Sequence, residues 1–160
     1  MLDALVTKYN VNPKELSRFL KFAAVGAIGA IIDFSILNVL IFWANWHYPI
    51  PWRNTIFDAG VIAANIVSTG MAILSNFTWN RLWTFPESRS RRKRYQLVQF
   101  TIVNLVGLLL NTAIFYLSYQ FAFSPFLSKT ISVQLAKAFA IGLVLFWNFF
   151  GNRIWTYRGL

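Results

Sequence analysis

The residues that could do chemistry in this chain are polar side chains placed within long apolar stretches. Asp33 and Lys137 carry charge there, and inserting either into a membrane costs about 2.5–3.5 kcal/mol, so each needs a partner or a role. Amide side chains occupy three further positions of this kind: Asn65, Asn104 and Asn111. An ammonium group binds anions, whereas carboxylates and amides hydrogen-bond hydroxyl groups. The pattern indicates a binding site for a polar anion, and no nucleophile–base pair accompanies it.

A ten-residue signature occurs twice. Residues 76–85 read NFTWNRLWTF, and residues 148–157 read NFFGNRIWTY. Arginine binds phosphate through two parallel hydrogen bonds, and asparagine amides donate to phosphate or sugar oxygens. We therefore expect both copies to contact a phosphate group, although arginines beside a tryptophan belt can also simply extend to the membrane surface. The polar residues concerned are Asn76, Asn80, Arg81, Asn148, Asn152 and Arg153.

The composition places these residues in a membrane protein. Hydrophobic residues make up 57% of the 160 residues and charged residues 12%, which is too apolar for a soluble domain of this size. Four apolar stretches are each long enough to cross a bilayer: residues 22–43, 59–79, 97–119 and 131–150. The sequence therefore predicts an all-α integral membrane protein with four transmembrane helices. The absence of cysteine and the single histidine, His47, argue against a metal site, and we expect no cofactor.

The chain also repeats itself outside the signature. Gly26, Gly29 and Asp33 recur 78 positions later as an Asn, Gly, Asn set, and the signature recurs 72 positions later. This predicts two helical hairpins related as parallel repeats, residues 22–85 and 97–157. A terminal segment, residues 1–21, and a basic loop, residues 86–96, complete the organisation.

The two charged residues within the predicted spans fall at similar depth in the membrane. Asp33 lies about 17 Å along the first span, and Lys137 about 9 Å from the opposite end of the fourth, by the rise of a helix. They can therefore form a purely structural ion pair. Alternatively, Lys137 receives an anionic group while Asp33 tunes it or contacts hydroxyl groups.

The distribution of basic residues predicts the orientation. Twelve Lys and Arg residues, Lys8 among them, lie on the side of the termini and central loop, against Arg53 and Lys129 on the other. The positive-inside rule then places both termini in the cytoplasm. The cluster at residues 89–94 is interpreted as a topology signal that also attracts anionic lipid, so we expect no nucleic-acid partner. Pro13, following Asn12 as a cap, predicts a short helix on the membrane surface before the first span.

The chain resembles the GtrA-like family of small four-span bacterial membrane proteins. Residues 18–26 (RFLKFAAVG), Asp33 and both signatures carry the resemblance, which covers roughly residues 18–157. The second signature has Gly151 and Tyr157 where the first has Trp79 and Phe85. The resemblance implies that the protein is not an enzyme. Its implied role is to move a polyprenyl-phosphate-linked sugar, such as undecaprenyl phosphate glucose, across the bacterial inner membrane for cell-surface polysaccharide. It also implies a polyprenyl-phosphate glycosyltransferase as partner.

Under this resemblance, we expect the signatures to collect the phosphate and Lys137 to hold it part way across. Asp33 and the amides of the spans would solvate the sugar, and a homodimer would enclose more room than one chain. No ATP-binding loop is visible, so transport would be downhill or ion-coupled. Two alternatives are a membrane anchor that recruits the glycosyltransferase and a proton-coupled exporter like the small multidrug resistance proteins, in which Asp33 would bind a cation.

Overall fold

Four long helices dominate the computed structural model, which describes residues 12–52 and 55–158. They are α1 (Pro13–Asn38), α2 (Ala59–Trp79), α3 (Lys93–Leu117) and α4 (Lys129–Gly151). Each continues into a wider π-helical turn: Val39–Trp43, Asn80–Thr84, Ser118–Phe123 and Asn152–Thr156. All four are long and apolar enough to cross a membrane. The predicted four-helix, multi-pass membrane protein is confirmed.

The chain divides into two compact units, Met1–Pro86 and Glu87–Leu160, and each is a helical hairpin. In the first, α1 packs against α2, and in the second, α3 packs against α4. The side chains buried in the two hairpins occupy equivalent positions of the repeat. These pairs are Phe22 and Phe100, Val25 and Val103, Ala64 and Ala136, and Phe77 and Phe149. The repeat that is visible in the sequence is therefore a repeat of core packing.

Helix α1 begins where the sequence predicts. The Asn12 side chain accepts a hydrogen bond from the Lys14 backbone N–H (3.0 Å), and Pro13 occupies the first turn. The helix then runs unbroken to Asn38, so the predicted surface helix is not a separate element in the described part of the chain. Residues 1–11, with Lys8, and Arg53 lie outside the described residues. The orientation of the termini stays a prediction.

The connection in the first hairpin contains a structure that the sequence did not predict. Strand β1 (Pro49–Trp52) pairs antiparallel with β2 (Thr55–Asp58), in the stretch between the first two predicted spans. Asp58 then caps α2 by accepting from the backbone N–H groups of Gly60 (2.9 Å) and Val61 (3.3 Å). Its other oxygen lies 2.8 Å from Nδ1 of His47. The hydrogen bond with His47, followed by that from the Tyr48 N–H, lowers the pKa of Asp58 to about 2.

The predicted basic loop, residues 86–96, is largely helical. A short 3₁₀ helix spans Pro86–Ser90, and α3 already begins at Lys93. Gln96, expected in the loop, is fully buried in the first turns of α3. The connection between the two units is thus shorter than the sequence predicts.

Candidate functional site

Both signatures end their hairpin in a π-helical turn. The Phe85 N–H donates to the Asn80 carbonyl (2.7 Å), and the Tyr157 N–H donates to the Asn152 carbonyl (2.8 Å). These bonds span five residues rather than four, which widens the turn and changes the direction of its side chains. Single π-turns inside long helices are rare and occur frequently at functional sites. The structure therefore gives both copies of the signature the same local backbone.

The inner side of each turn is polar. Asn152 is fully buried, and its Oδ1 accepts from the Thr156 hydroxyl (2.8 Å) while its Nδ2 donates to the Asn148 carbonyl (2.8 Å). In the first hairpin the equivalent Asn80 Oδ1 and Thr84 Oγ1 are buried without a hydrogen-bond partner. Asn80 and Asn152 are 2% and 0% exposed in this structure, and their predicted contact with a phosphate stays a prediction.

The first asparagine of each signature contacts the preceding helix. Asn76 lies against Gly29 of α1, and Asn148 lies against Gly107 of α3, so closely that a Cβ atom on either glycine would meet the amide. Small residues let helices approach in this way. The amide oxygens of both asparagines are buried without a hydrogen-bond partner. Gly29 and Gly107, which recur in the repeat, thus mark the point where each signature packs against the preceding helix.

The arginines have a different position. Arg81 and Arg153 are half-buried at the same place in the two π-turns. Unlike the asparagines that precede them, they retain surface that a ligand can reach. Each of these two π-turns thus carries a partly exposed arginine.

Sequence reasoning missed two buried polar residues beneath the signatures. Arg18 is 5% exposed, pairs with Glu15 (2.5 Å) and places its guanidinium carbon 5.9 Å from the centre of the Phe85 ring. Gln96 occupies the equivalent position of the second hairpin and donates to the carbonyls of Ser88 (3.0 Å) and Thr156 (3.4 Å). Their separation of 78 positions matches that of the glycines, so extending the repeat towards the N-terminus could have found them.

Arg91 is a further residue with a role that we did not expect. It donates to the carbonyls of Thr156 (2.7 Å) and Trp155 (3.3 Å), at the end of the second signature. These carbonyls lie in the last turn of a helix, where they lack partners within the helix. One member of the basic cluster therefore caps the second π-turn, in addition to its charge.

The polar residues in the middle of the spans divide between the hairpins. Asp33 lies 3.3 Å from the Thr69 hydroxyl of α2, and Asn65 is exposed on the same helix. In the second hairpin, Asn104 donates to the Phe100 carbonyl of its own helix (2.8 Å). Asn111 is half-buried, and Lys137 is exposed. Because Asp33 and Lys137 belong to different units, their pairing stays a prediction, as do the ligand roles of all these residues.

Comparison with known proteins gives the hairpins a context. Residues 21–157 match the family described as GtrA/DPMS, transmembrane domain. The membrane protein YngA of Bacillus subtilis is 27% identical over 137 residues, which cover 86% of this chain and 77% of that protein. The dolichol-phosphate mannosyltransferase of Pyrococcus furiosus is 27% identical over 103 residues, which cover 64% of this chain but 25% of that protein. The second match thus involves a limited part of a longer protein.

Proposed function

Because this chain belongs to the GtrA/DPMS transmembrane-domain family, we propose that it moves a polyprenyl-phosphate-linked sugar between the leaflets of the bacterial inner membrane. Undecaprenyl phosphate glucose is the substrate that we favour, and cell-surface polysaccharide is the destination of the sugar. The name of the Pyrococcus relative, a dolichol-phosphate mannosyltransferase, supports this chemical class of ligand. We place both termini in the cytoplasm, in line with the distribution of basic residues, and assign the chain no catalytic step.

One observation carries the proposal: the same arginine-bearing π-turn ends both hairpins. Arg81 and Arg153 are half-buried at equivalent places, where a guanidinium group can bind phosphate through two hydrogen bonds. The polyprenyl chain can stay in the bilayer while the sugar-phosphate crosses. A modest polar path through the helices is therefore enough for transport.

The remaining polar residues have three kinds of role in this proposal: they position the π-turns, bind the phosphate part way across, or contact the sugar. Asn76 and Asn148 hold each turn against the neighbouring glycine, and Asn80 and Asn152 support it from within. Lys137, which is exposed on α4, receives the phosphate part way across. The residues that would solvate the sugar are Asp33, Asn65, Asn104 and Asn111.

The test is exchange of polyprenyl-phosphate glucose between the leaflets of proteoliposomes. Membrane-impermeant periodate oxidises the glucose of the outer leaflet, so the fraction oxidised over time reports exchange. We expect the protein to raise the exchange rate above that of empty vesicles, and Arg81→Gln with Arg153→Gln to remove the increase. A folded wild-type protein that exchanges lipid no faster than empty vesicles would overturn the proposal.

A second function, membrane anchor for a glycosyltransferase, is favoured by one finding. In the Pyrococcus relative, the matching segment is a quarter of a protein that is named as the transferase. An anchor would retain its partner after loss of Lys137 and lose it when the basic residues of 89–94 are replaced. Co-purification of a polyprenyl-phosphate glycosyltransferase with these two variants separates the anchor from the transporter. The predicted homodimer is compatible with either function.

A further inference from the structure

An apolar groove of about 610 Å³ runs along the second hairpin beside its signature. Helix α3 contributes the branched side chains of Ile102, Val103 and Val106. Phe146 of α4 and Trp155 of the π-turn add aromatic rings, and Gly151 lies between them. The groove lies on helices that cross the membrane, so its occupant is an apolar chain of the bilayer or another apolar surface.

The groove depends on the glycine that distinguishes the second signature from the first. Gly151 stands where the first copy has Trp79. A Cβ atom on Gly151 would lie 2.9 Å from Cγ1 of Val103, and a tryptophan side chain there would occupy the space. The replacement of tryptophan by glycine in the second copy of the signature therefore leaves an apolar space in the second hairpin.

The polar surroundings of the groove select its ligand. Arg91 donates to the carbonyl of Trp155, a residue that lines the groove, and so places positive charge at this end. Positive charge at one end and apolar lining along the rest fit an amphiphile with an anionic head. In a polyprenyl phosphate, the chain is attached directly to the phosphate, whereas a glycerol backbone separates the two in a phospholipid. Apolar space that begins beside an arginine favours the directly attached chain.

We propose that this groove holds the first isoprene units of the polyprenyl chain while the phosphate lies at the Trp155 end of the groove, near Arg91. The identity of the chain rests on the proposed function; the position of the site rests on the groove. The two hairpins then have different tasks. The second holds the lipid, and the first, with Trp79 in place of the glycine, does not provide this slot.

The test uses undecaprenyl phosphate with a diazirine in its first isoprene units, photolysed with the full-length protein in vesicles. We expect cross-links to map to the residues of the groove. Gly151→Trp and Val106→Trp each fill the groove, from different elements, and should lower the yield by about tenfold because the chain loses its apolar contacts. Leu109→Trp, on a position of α3 that is 71% exposed and outside the groove, should leave the yield unchanged. Val106→Trp keeps the test valid if Gly151→Trp does not fold.

Competition by unlabelled lipids shows whether the groove prefers a polyprenyl phosphate to a phospholipid. Unlabelled undecaprenyl phosphate should suppress cross-linking, whereas the same amount of phosphatidylglycerol should not. Equal competition by phosphatidylglycerol, equal yields from all variants, or cross-links that map outside the groove would overturn the inference.

The periodate assay distinguishes failure of the groove inference from failure of the proposed transport function. Groove-specific cross-linking by a protein that exchanges no lipid-linked glucose would support the groove and overturn the transport function. Normal exchange by Gly151→Trp and Val106→Trp with undiminished cross-linking would overturn the groove and leave transport standing.

Discussion

Gly29 and Asn76 lie so close together across the first hairpin that a Cβ atom on the glycine would meet the carboxamide of the asparagine. Gly107 and Asn148 repeat this relationship in the second hairpin. The contact joins the start of each signature to the small residue of the neighbouring helix. It therefore sets the position of the π-turn, and of the arginine on it, in both hairpins.

Replacing Gly29 by alanine should destabilise the protein by about 1–3 kcal/mol, because the new methyl group overpacks a close helix contact. Gly26→Ala is the matched control, since nothing lies within 4 Å of its Cβ position. Thermal unfolding of the detergent-solubilised variants measures the difference. The double variant Gly29→Ala/Asn76→Ala should recover stability because it removes the overlap. Equal unfolding temperatures for the Gly29 and Gly26 variants would contradict the contact.

The threonines of the two signatures should differ in their response to valine. Thr156→Val removes a hydroxyl that donates to Asn152 Oδ1 (2.8 Å) and leaves that oxygen buried and unsatisfied, which costs about 1–3 kcal/mol. Thr84→Val should cost less, because the Thr84 hydroxyl is buried without a hydrogen-bond partner. Unfolding of the two variants, measured side by side, tests this asymmetry. An equal loss of stability would show that the two turns are bonded alike.

Arg91→Ala should loosen the end of the second signature, because the Trp155 carbonyl loses the Arg91 donor and the Thr156 carbonyl keeps only the longer hydrogen bond from Gln96. Limited trypsin digestion measures this loosening through cleavage after Arg153, which we expect to become several-fold faster as the turn opens. Arg94→Ala removes the same charge from an exposed position of the same cluster and should leave the cleavage rate unchanged. Equal cleavage rates for both variants would show that Arg91 does not stabilise the end of the second signature.

The connection between α1 and α2, which holds β1, β2 and the Asp58 cap of α2, should lose stability in acid. The pKa of Asp58 is lowered from 3.8 to about 2, chiefly by its hydrogen bond with His47. A carboxylate with a depressed folded pKa stabilises the protein above its unfolded pKa and loses that contribution as the pH falls through the folded value. Unfolding temperatures should therefore decline between about pH 4 and pH 2 in the wild type. The decline should be smaller in Asp58→Asn, and an identical decline in both would contradict the prediction.

The four helices could be predicted because apolar length is a property of composition. The π-turns could not, since bonding over five residues has no compositional signal that separates it from the end of an ordinary helix. The strands beginning at Pro49 and Thr55 were missed for a related reason. Proline at positions 49 and 51 favours a turn, although an edge strand also accommodates proline.

The burial of the candidate site residues could not be predicted from the sequence. Polar residues of the signatures were interpreted as facing a ligand, yet Asn80 and Asn152 are buried. Arg18 is likewise buried, with its guanidinium group beneath the Phe85 ring. Amino-acid type reports the capacity to form hydrogen bonds and not whether the partner is a ligand or the protein's own backbone. Burial, which depends on the packing of two helices, decides between them.

Lys137 offers the sharpest test of the transport path. It is the one cation that the sequence places within a predicted span, and its equivalent in the first hairpin is Asn65. Lys137→Asn therefore installs the residue that the repeat already tolerates, and Lys137→Met removes the charge while keeping the length of the side chain. Because Lys137 is exposed, neither change should disturb the core.

We expect both variants to fold and to exchange polyprenyl-phosphate glucose at least about tenfold more slowly, since losing about 1.4 kcal/mol of anion stabilisation at the barrier has that effect. Lys129→Met, at the start of α4, is the control for a general loss of charge. Wild-type exchange by Lys137→Asn would exclude Lys137 from the transport path. Slow exchange by Lys129→Met as well would point to surface charge rather than to a site within the membrane.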